Sequence, residues 1–323
     1  MNHVTDTIRD LGILPVLTLE RADKAVPLAQ ALTRGGLPAM EITLRTEAAA
    51  DAIKNVRKAL PDFLIGAGSV LTTGQAESAI EAGAQFLVSP GFNPEIIDFC
   101  LKKTVPIIPG VNNPTHVEQA LGMGLDTVKF FPAEPSGGLA MLKALSGPYP
   151  GMHYIPMGSI RPNQLADYLS HDRVLACGAG WVVPQEALES GDFAAITASA
   201  EEAVKTVLGF ELIHVGINQE SGEEAKTTAA QFESLFSFTA DENPGSIFLR
   251  SRSKSTIEVL KTHFLGEMGH LAIGTRDIRR AMAFLTKKGV GFRPETLNPV
   301  NGVLKTAYLD LEIGGFAVHL LQM

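Results

Sequence analysis

The feature that most constrains the fold of this chain is a pattern that recurs eight times between residues 13 and 181. Each time, a short apolar run is followed by a stretch with helical spacing. The runs are ILPVLTL (13–19), PAMEITL (38–44), FLIGAGSV (63–70), QFLVSPG (85–91), VPIIPGV (105–111), TVKFF (127–131), HYIPMGS (153–159) and RVLACGAGW (173–181). Eight βα units within about 200 residues predict a TIM (β/α)8 barrel. An open doubly wound sheet is the alternative, but no GxGxxG opens its first helix.

The second feature is a change in the sequence pattern after a predicted helix at 186–208, which closes the first domain. FELIHVGIN (210–218) resembles GHLAIGTRD (269–277), and a helical run follows each of them. Two copies of about 55 residues predict a smaller α+β domain made of two βαβββ repeats. We therefore expect two domains, at 1–208 and 209–323.

Composition excludes several classes of function. The net charge of −8 argues against a nucleic-acid partner, because such a partner needs a basic face. The two cysteines form no disulfide framework, and no apolar run approaches the roughly 18 residues of a membrane span. The first ten residues also lack the apolar core of a signal peptide. These observations predict a cytoplasmic protein that makes no membrane contact.

Polar residues interrupt two of the predicted strands. Glu41, Thr43 and Arg45 follow the alternate spacing that places side chains on one face of a strand, and Lys129 lies in the apolar run TVKFF. Burial would lower the pKa of Lys129 and favour the neutral amine that forms a Schiff base with a ketone. Glu41 would then carry protons, and Arg45 would bind a carboxylate. The alternative is a buried Lys129–Glu41 ion pair that only stabilises the barrel.

Several ordered blocks resemble the KDPG/KHG aldolase family, the 2-keto-3-deoxy-6-phosphogluconate and 2-keto-4-hydroxyglutarate aldolases. The blocks are GGLPAMEITLRT (35–46), IGAGSVL (65–71), AGAQFLVSPG (82–91), IPGVNNPTHVEQALGMG (108–124), VKFFPAE (128–134), GG (137–138) and LSGPYP (145–150). The resemblance covers about residues 5–207. It implies a homotrimeric TIM barrel and a class I aldol cleavage of a small-molecule keto acid, with no metal or other cofactor.

The resemblance also implies roles for individual residues. Lys129 would be the Schiff-base nucleophile, Glu41 the proton carrier and Arg45 a substrate-binding cation. Ser69 would bind the pyruvate carboxylate, and Pro90 and Phe131 would line the pocket. The rival hypothesis is a barrel that serves only as a binding module or scaffold, with any chemistry confined to the second domain.

The seventh and eighth strands depart from the family pattern. Where the family has P-T-G-G and G-G-S-W, this chain has Pro-Met-Gly-Ser (156–159) and Gly-Ala-Gly-Trp (178–181). We expect Gly158, Ser159, Gly178 and Gly180 to contact the distal end of the substrate, where the family holds a phosphate. Each lost hydroxyl contact to a charged group would cost roughly 1.5–3 kcal/mol, which predicts a smaller or less charged aldehyde half. The alternative is that backbone amides suffice and specificity is unchanged.

Residues 210–323 resemble the vicinal-oxygen-chelate group of glyoxalase-like and dioxygenase-like domains, through HVGIN, GHLAIGTRDI and GGFAVHLLQ. The resemblance implies a metal site at His214, Glu258, His270 and His319. Three imidazoles and a carboxylate suit a divalent transition metal such as Zn, Ni, Mn or Fe(II). This domain would be either a second, metal-dependent enzyme or a non-catalytic module.

Overall fold

The structure is a computed structural model that describes residues 3–252 and 256–323. The chain forms two compact units, the first ending at Val207 and the second beginning at Leu208. No helix within the described residues combines the length and the apolar character needed to cross a bilayer.

The strands of the first unit are short, parallel and almost entirely buried. They are β1 (Ile13–Leu17), β2 (Ala39–Thr43), β3 (Leu64–Gly68), β4 (Phe86–Val88), β5 (Ile107–Ile108), β6 (Gly110–Val111), β7 (Thr127–Phe130), β8 (His153–Pro156) and β9 (Cys177–Ala179). One sheet has the order β5-β4-β3-β2-β1-β9, and a second has the order β6-β7-β8. Pro109, which has no N–H, separates β5 from β6. Bridges from Tyr154 to Val174 and from Met157 to Gly178 connect the other edges, giving an α/β barrel-like fold.

The helices of the first unit alternate with these strands. They are α1 (His3–Leu11), α2 (Ala25–Arg34), α3 (Ala49–Ala59), α4 (Thr73–Glu81), α5 (Pro94–Lys102), α6 (Pro114–Gly122), α7 (Gly138–Ser146), α8 (Leu165–Leu169), α9 (Gln185–Ser190) and α10 (Phe193–Leu208). The prediction of one continuous helix over 186–208 is wrong. Gly191 adopts φ 78° and ends α9, so the segment forms two helices.

The second unit contains a single mixed sheet. Its elements are β10 (Glu211–Ile217), α11 (Gly222–Phe236), β11 (Thr239–Glu242), β12 (Ser246–Arg250), β13 (Thr256–Leu260), β14 (His270–Thr275), α12 (Ile278–Lys287), β15 (Asn298–Val300), β16 (Val303–Ile313) and β17 (Phe316–Gln322). The eight strands have the order β11-β12-β13-β10-β14-β17-β16-β15. This is a sheet-rich domain with two helices among the described residues, and its origin by duplication stays a prediction.

Candidate active site and metal centre

A cavity of about 460 Å³ opens among the carboxyl ends of the strands in the first unit. The side chains that follow these ends come together because all the barrel strands run in parallel. The cavity is lined by Val16, Glu41, Thr43, Arg45, Ser69, Lys129, Phe131, Met157, Gly158, Ser159, Ile160, Arg161, Pro162, Gly178, Gly180 and Trp181.

Lys129 lies in β7 and is only 6% exposed. Its backbone neighbour in β6 is Gly110. Burial lowers the pKa of Lys129, Glu41 opposes that shift, and Arg45 adds to it. The amine nitrogen lies 4.6 Å from the centre of the Phe131 ring. The cavity thus contains a lysine whose neutral, nucleophilic form is favoured.

Glu41 in β2 is completely buried. Neither of its carboxylate oxygens has a hydrogen-bond partner among the described residues. A Cβ atom at Gly68, on the adjacent strand β3, would collide with Glu41 Oε1, so this glycine makes room for the carboxylate. Burial raises the pKa of Glu41, although Lys129 and Arg45 act in the other direction. A carboxyl group that holds its proton unusually well therefore lines the same cavity as the amine.

Arg45 and Ser69 form a hydrogen-bonded pair at the cavity wall. Arg45 Nε donates to Ser69 Oγ over 3.0 Å, and Ser69 has the left-handed φ of 55°. β2 ends at Thr43, so Arg45 reaches the cavity from a turn and not from the strand face that its spacing suggested. A guanidinium beside a hydroxyl provides donors for a carboxylate.

The other predicted residues of the first unit divide into two groups. Phe131, Gly158, Ser159, Gly178 and Gly180 all line the cavity. Pro90 does not belong to the lining set; its carbonyl oxygen instead lies close to Gly110, where a Cβ atom would collide with it.

Sequence reasoning assigned no role to Arg161, Trp181 or Met157, which also line the cavity. The signal for Arg161 was its position, two residues after the predicted contact Ser159. An arginine just beyond a proposed anion site is a reason to consider it a ligand.

In the second unit, four predicted metal ligands lie on four adjacent strands, β13-β10-β14-β17. Gly216 in β10 pairs with both Glu258 and His270. His214 precedes Gly216 by two residues, and His319 pairs with Ala272, two residues after His270. Because paired residues and alternate residues share a face, all four side chains lie on the same face of the sheet.

The ligand atoms of this cluster are close together. His214 Nε2 lies 3.0 Å from His270 Nε2, and Glu258 Oε2 lies 3.1 Å and 3.2 Å from these two nitrogens. The three imidazoles, with His319 included, place one nitrogen each within 4.8 Å of one another, and all three are buried.

The pKa values of Glu258 and His319 are both shifted downward in this cluster. Burial would raise the pKa of Glu258, but hydrogen bonds from His214 and His270 hold it well below its usual range. Burial, followed by the nearby His270 and His214, lowers the pKa of His319 to about 4. His319 Nδ1 lies 3.3 Å from the carbonyl oxygen of Leu320, which leaves Nε2 as the ligand atom.

A second cavity, of about 480 Å³, adjoins this cluster. Glu258, His270 and His319 contribute to its wall. Its other lining residues are Phe264, Leu265, Glu295, Thr296, Asn298, Thr306, Tyr308 and Leu321. The Tyr308 ring stacks on His319, with 4.6 Å between the ring centres. A metal held by the cluster would therefore face a space large enough for a small molecule.

The first unit is similar to known proteins. The family model for KDPG and KHG aldolase matches residues 4–199. The 2-dehydro-3-deoxy-phosphogluconate aldolase of Treponema pallidum is 48% identical over 207 residues, which are 64% of this chain and 99% of the relative. The KHG/KDPG aldolase of Escherichia coli K12 is 42% identical over 193 residues, 60% of this chain and 91% of that protein.

The solved structures include a KDPG aldolase from Legionella pneumophila. It superimposes with a TM-score of 0.61 at 37% identity, covering 62% of this chain and 98% of the Legionella chain. In that crystal structure, pyruvate was captured at low pH as a covalent carbinolamine intermediate.

Proposed function

Because the chain belongs to the KDPG and KHG aldolase family and is therefore an aldehyde-lyase, we propose that it cleaves a 2-keto-4-hydroxy acid to pyruvate and an aldehyde through a Schiff base on Lys129. The observation that carries this proposal is the buried Lys129, whose pKa is lowered, in a cavity that it shares with Glu41. The carbinolamine of the Legionella relative supports it, since a carbinolamine is the first product of an amine and a ketone. The relatives' names indicate 2-keto-3-deoxy-6-phosphogluconate or 4-hydroxy-2-oxoglutarate as substrate.

The directions of the two pKa shifts, downward for Lys129 and upward for Glu41, fit the following reaction. The neutral amine of Lys129 adds to the C2 carbonyl carbon and gives a carbinolamine. The protonated carboxyl of Glu41 gives its proton to the C2 hydroxyl, which leaves as water, and a protonated imine remains. The Glu41 carboxylate then removes the proton of the C4 hydroxyl as the C3–C4 bond breaks. The bond electrons move toward the imine nitrogen, which releases the aldehyde and leaves an enamine.

The cycle closes through the same two residues. Glu41 returns its proton to C3 of the enamine, and water hydrolyses the resulting imine to pyruvate and the free amine of Lys129. Arg45 and Ser69 bind the keto-acid carboxylate, since their donors lie beside each other at the wall. Phe131 covers the amine with an apolar ring that limits its hydration.

Borohydride trapping with pyruvate tests this function. Reduction of the imine should add one pyruvate-derived group to the peptide that contains Lys129, and Lys129→Ala should abolish both the adduct and turnover. Lys54→Ala, which removes an exposed lysine of α3, is the matched control and should change neither. A chain that turns over substrate without Lys129 would contradict the proposal. A wild-type chain with neither adduct nor turnover would support the non-catalytic scaffold instead.

We further propose that the barrel strands form a complete TIM barrel and that the protein is a cytoplasmic homotrimer, on the basis of the family resemblance alone. Light scattering on the purified full-length chain measures the number of subunits directly. A monomer or a dimer would contradict this assignment.

For the second unit we propose a divalent transition metal bound by His214, Glu258, His270 and His319, in a domain of the vicinal-oxygen-chelate type. The cluster fits such an ion, since ligands about 2.0–2.2 Å from a tetrahedral metal lie roughly 3.3–3.5 Å apart. The separations among His214, His270 and Glu258 are 3.0–3.2 Å, close to that spacing. A nitrogen of His319 lies within 4.8 Å of a nitrogen of His214 and of His270. A bound metal would supply Lewis acidity at the adjoining cavity, and the four protein groups would hold and orient it.

Metal analysis of the full-length protein tests this site. We expect one equivalent of a transition metal in the wild type and none in the His214→Ala/His270→Ala variant. His263→Ala, which removes an exposed histidine of the same unit, is the control and should retain the metal. A metal-free wild type after growth and dialysis with added Zn²⁺ would contradict the proposal.

A further inference from the structure

Three cationic side chains line the aldolase cavity, and only two have a part in the proposed chemistry. Lys129 forms the Schiff base, and Arg45 binds the keto-acid carboxylate. The third is Arg161, an exposed residue just beyond the end of β8. β8 and β2 are separated around the barrel by β9 and β1, so Arg161 and Arg45 approach the cavity from different sides.

The Arg161 side chain is held in place by hydrogen bonds to a neutral residue. Its backbone N–H and its Nε both donate to Gln164 Oε1, over 3.0 Å and 3.3 Å. Gln164 Nε2 in turn donates to Glu134 Oε2 over 2.7 Å, and the Tyr168 hydroxyl donates to the other oxygen of Glu134. Glu134 thus accepts hydrogen bonds from two neutral donors, and the charge of Arg161 contributes to lowering the pKa of Glu134 without a direct contact. Arg161 forms no ion pair within the part of the chain that the structure describes.

The terminal nitrogens of Arg161 donate no hydrogen bond to another described residue. Gly158 and Ser159, with φ values of 105° and 62°, line the same cavity as Arg161. A guanidinium that is fixed through Nε and open at its two terminal nitrogens can bind a planar carboxylate or a phosphoryl group through two hydrogen bonds.

We infer that Arg161 binds an anionic group on the aldehyde half of the substrate, so that the enzyme selects keto acids with a second anionic group over those with an uncharged distal end. This inference rests on the proposed function and deepens it. It runs against the sequence-based expectation of a less charged aldehyde, because the cation of Arg161 replaces the donors lost with the hydroxyls of the family's seventh and eighth strands. The anion is either a carboxylate or a phosphate.

The test is pyruvate addition to three aldehydes: D-glyceraldehyde, D-glyceraldehyde 3-phosphate and glyoxylate. Loss of a hydrogen bond to a charged group predicts that Arg161→Ala lowers kcat/KM about 10- to 100-fold for an anionic aldehyde. The effect should fall mainly on KM, and D-glyceraldehyde should change less than about twofold. Arg161→Lys should recover part of the loss. The anionic aldehyde with the larger loss identifies carboxylate or phosphate as the bound group.

Two further measurements separate this inference from the proposed function. Exchange of the pyruvate methyl protons with deuterated solvent needs Lys129 and Glu41 but no aldehyde, so Arg161→Ala should leave it unchanged. Arg34→Ala removes an exposed arginine from the last turn of α2, which leads to the amino end of β2, and it should change no rate. Absence of exchange in the wild type would overturn the proposed function itself. Normal exchange with an equal loss for all three aldehydes, or with no loss for any, would overturn the role of Arg161.

Discussion

Replacing Gly68 by alanine should displace the carboxylate of Glu41, the proposed proton carrier, without changing that residue. Gly68 lies in β3 and has no left-handed φ, so alanine can adopt its backbone conformation. The new Cβ atom would nevertheless overlap Oε1, Cδ and Cγ of Glu41. Glu41 is fully buried and cannot retreat into solvent, so the carboxylate or the strand must move.

This overlap should affect both the unfolding free energy and the reaction rate. An additional buried methyl group in a well-packed core costs about 1–3 kcal/mol of unfolding free energy. Misplacing a general acid–base group removes a contribution of about 10²–10⁴-fold to the rate, and we therefore expect kcat/KM to fall at least 10²-fold. Imine trapping on Lys129 should slow as well, because Glu41 also helps to expel water.

A double-mutant cycle shows whether Glu41 is the cause. In a Glu41→Ala background the overlap is removed, so Gly68→Ala should cost nearly nothing, and the coupling energy should be about 1–3 kcal/mol. Urea unfolding followed through Trp181, the single tryptophan of the chain, reports on the first unit. Gly122→Ala, at a site with open space around it, is the control and should keep full activity. An equal stability cost with and without Glu41 would refute this reasoning.

Three more predictions concern other groups. The Arg45 cation helps to lower the pKa of Lys129, so Arg45→Gln should raise that pKa. In a plot of the pyruvate-trapping rate against pH, the rise on the acid side should move to higher pH. An unchanged profile would contradict an effect of Arg45 on the pKa of Lys129. The hydroxyl of Tyr154 is buried without a hydrogen-bond partner among the described residues. Tyr154→Phe should therefore raise the unfolding free energy of the first unit by about 1–3 kcal/mol, measured by urea unfolding. A loss of stability would show that this hydroxyl has a partner. If Glu258 binds the metal directly, Glu258→Gln should weaken Zn²⁺ binding by more than the roughly 10- to 100-fold that loss of a hydrogen-bond partner of a ligand costs. Competition with a chromophoric chelator measures this affinity. An unchanged affinity would show that Glu258 is not a ligand.

Strand periodicity pointed to Glu41 and Lys129, and both line the cavity of the first unit. Glu41 and Lys129 interrupt apolar strands, and burial of a charged group inside a strand is costly enough to indicate a function. Arg45 was predicted from the same periodicity, but β2 ends before it, and it reaches the cavity from a turn. Its inclusion in the site therefore depends on the family motif more than on strand spacing.

Residues in loops were harder to place. Arg161 precedes the short helical turn at Pro162–Gln164, and its orientation depends on Gln164 and on Glu134, which lies far away in the sequence. Pro90 belongs to a recognised block, yet the path of the chain after β4 takes its carbonyl oxygen beside Gly110, and Pro90 is not among the residues that line the cavity. No periodic pattern encodes these contacts, because each depends on the path of a loop between strands.

Two glycines, one in each unit, show a further limit on what the sequence alone can predict. Gly68 leaves room for Glu41 from the neighbouring strand, and Gly216 does the same for the imidazole of His270. In each case a missing Cβ atom, and not a polar group, leaves space on the adjacent strand for the side chain of a proposed site residue. Which glycine faces which side chain depends on the register between strands, and that register is fixed only when the whole sheet packs. A glycine beside a buried titratable residue is therefore as much a part of such a site as the residue that performs the chemistry.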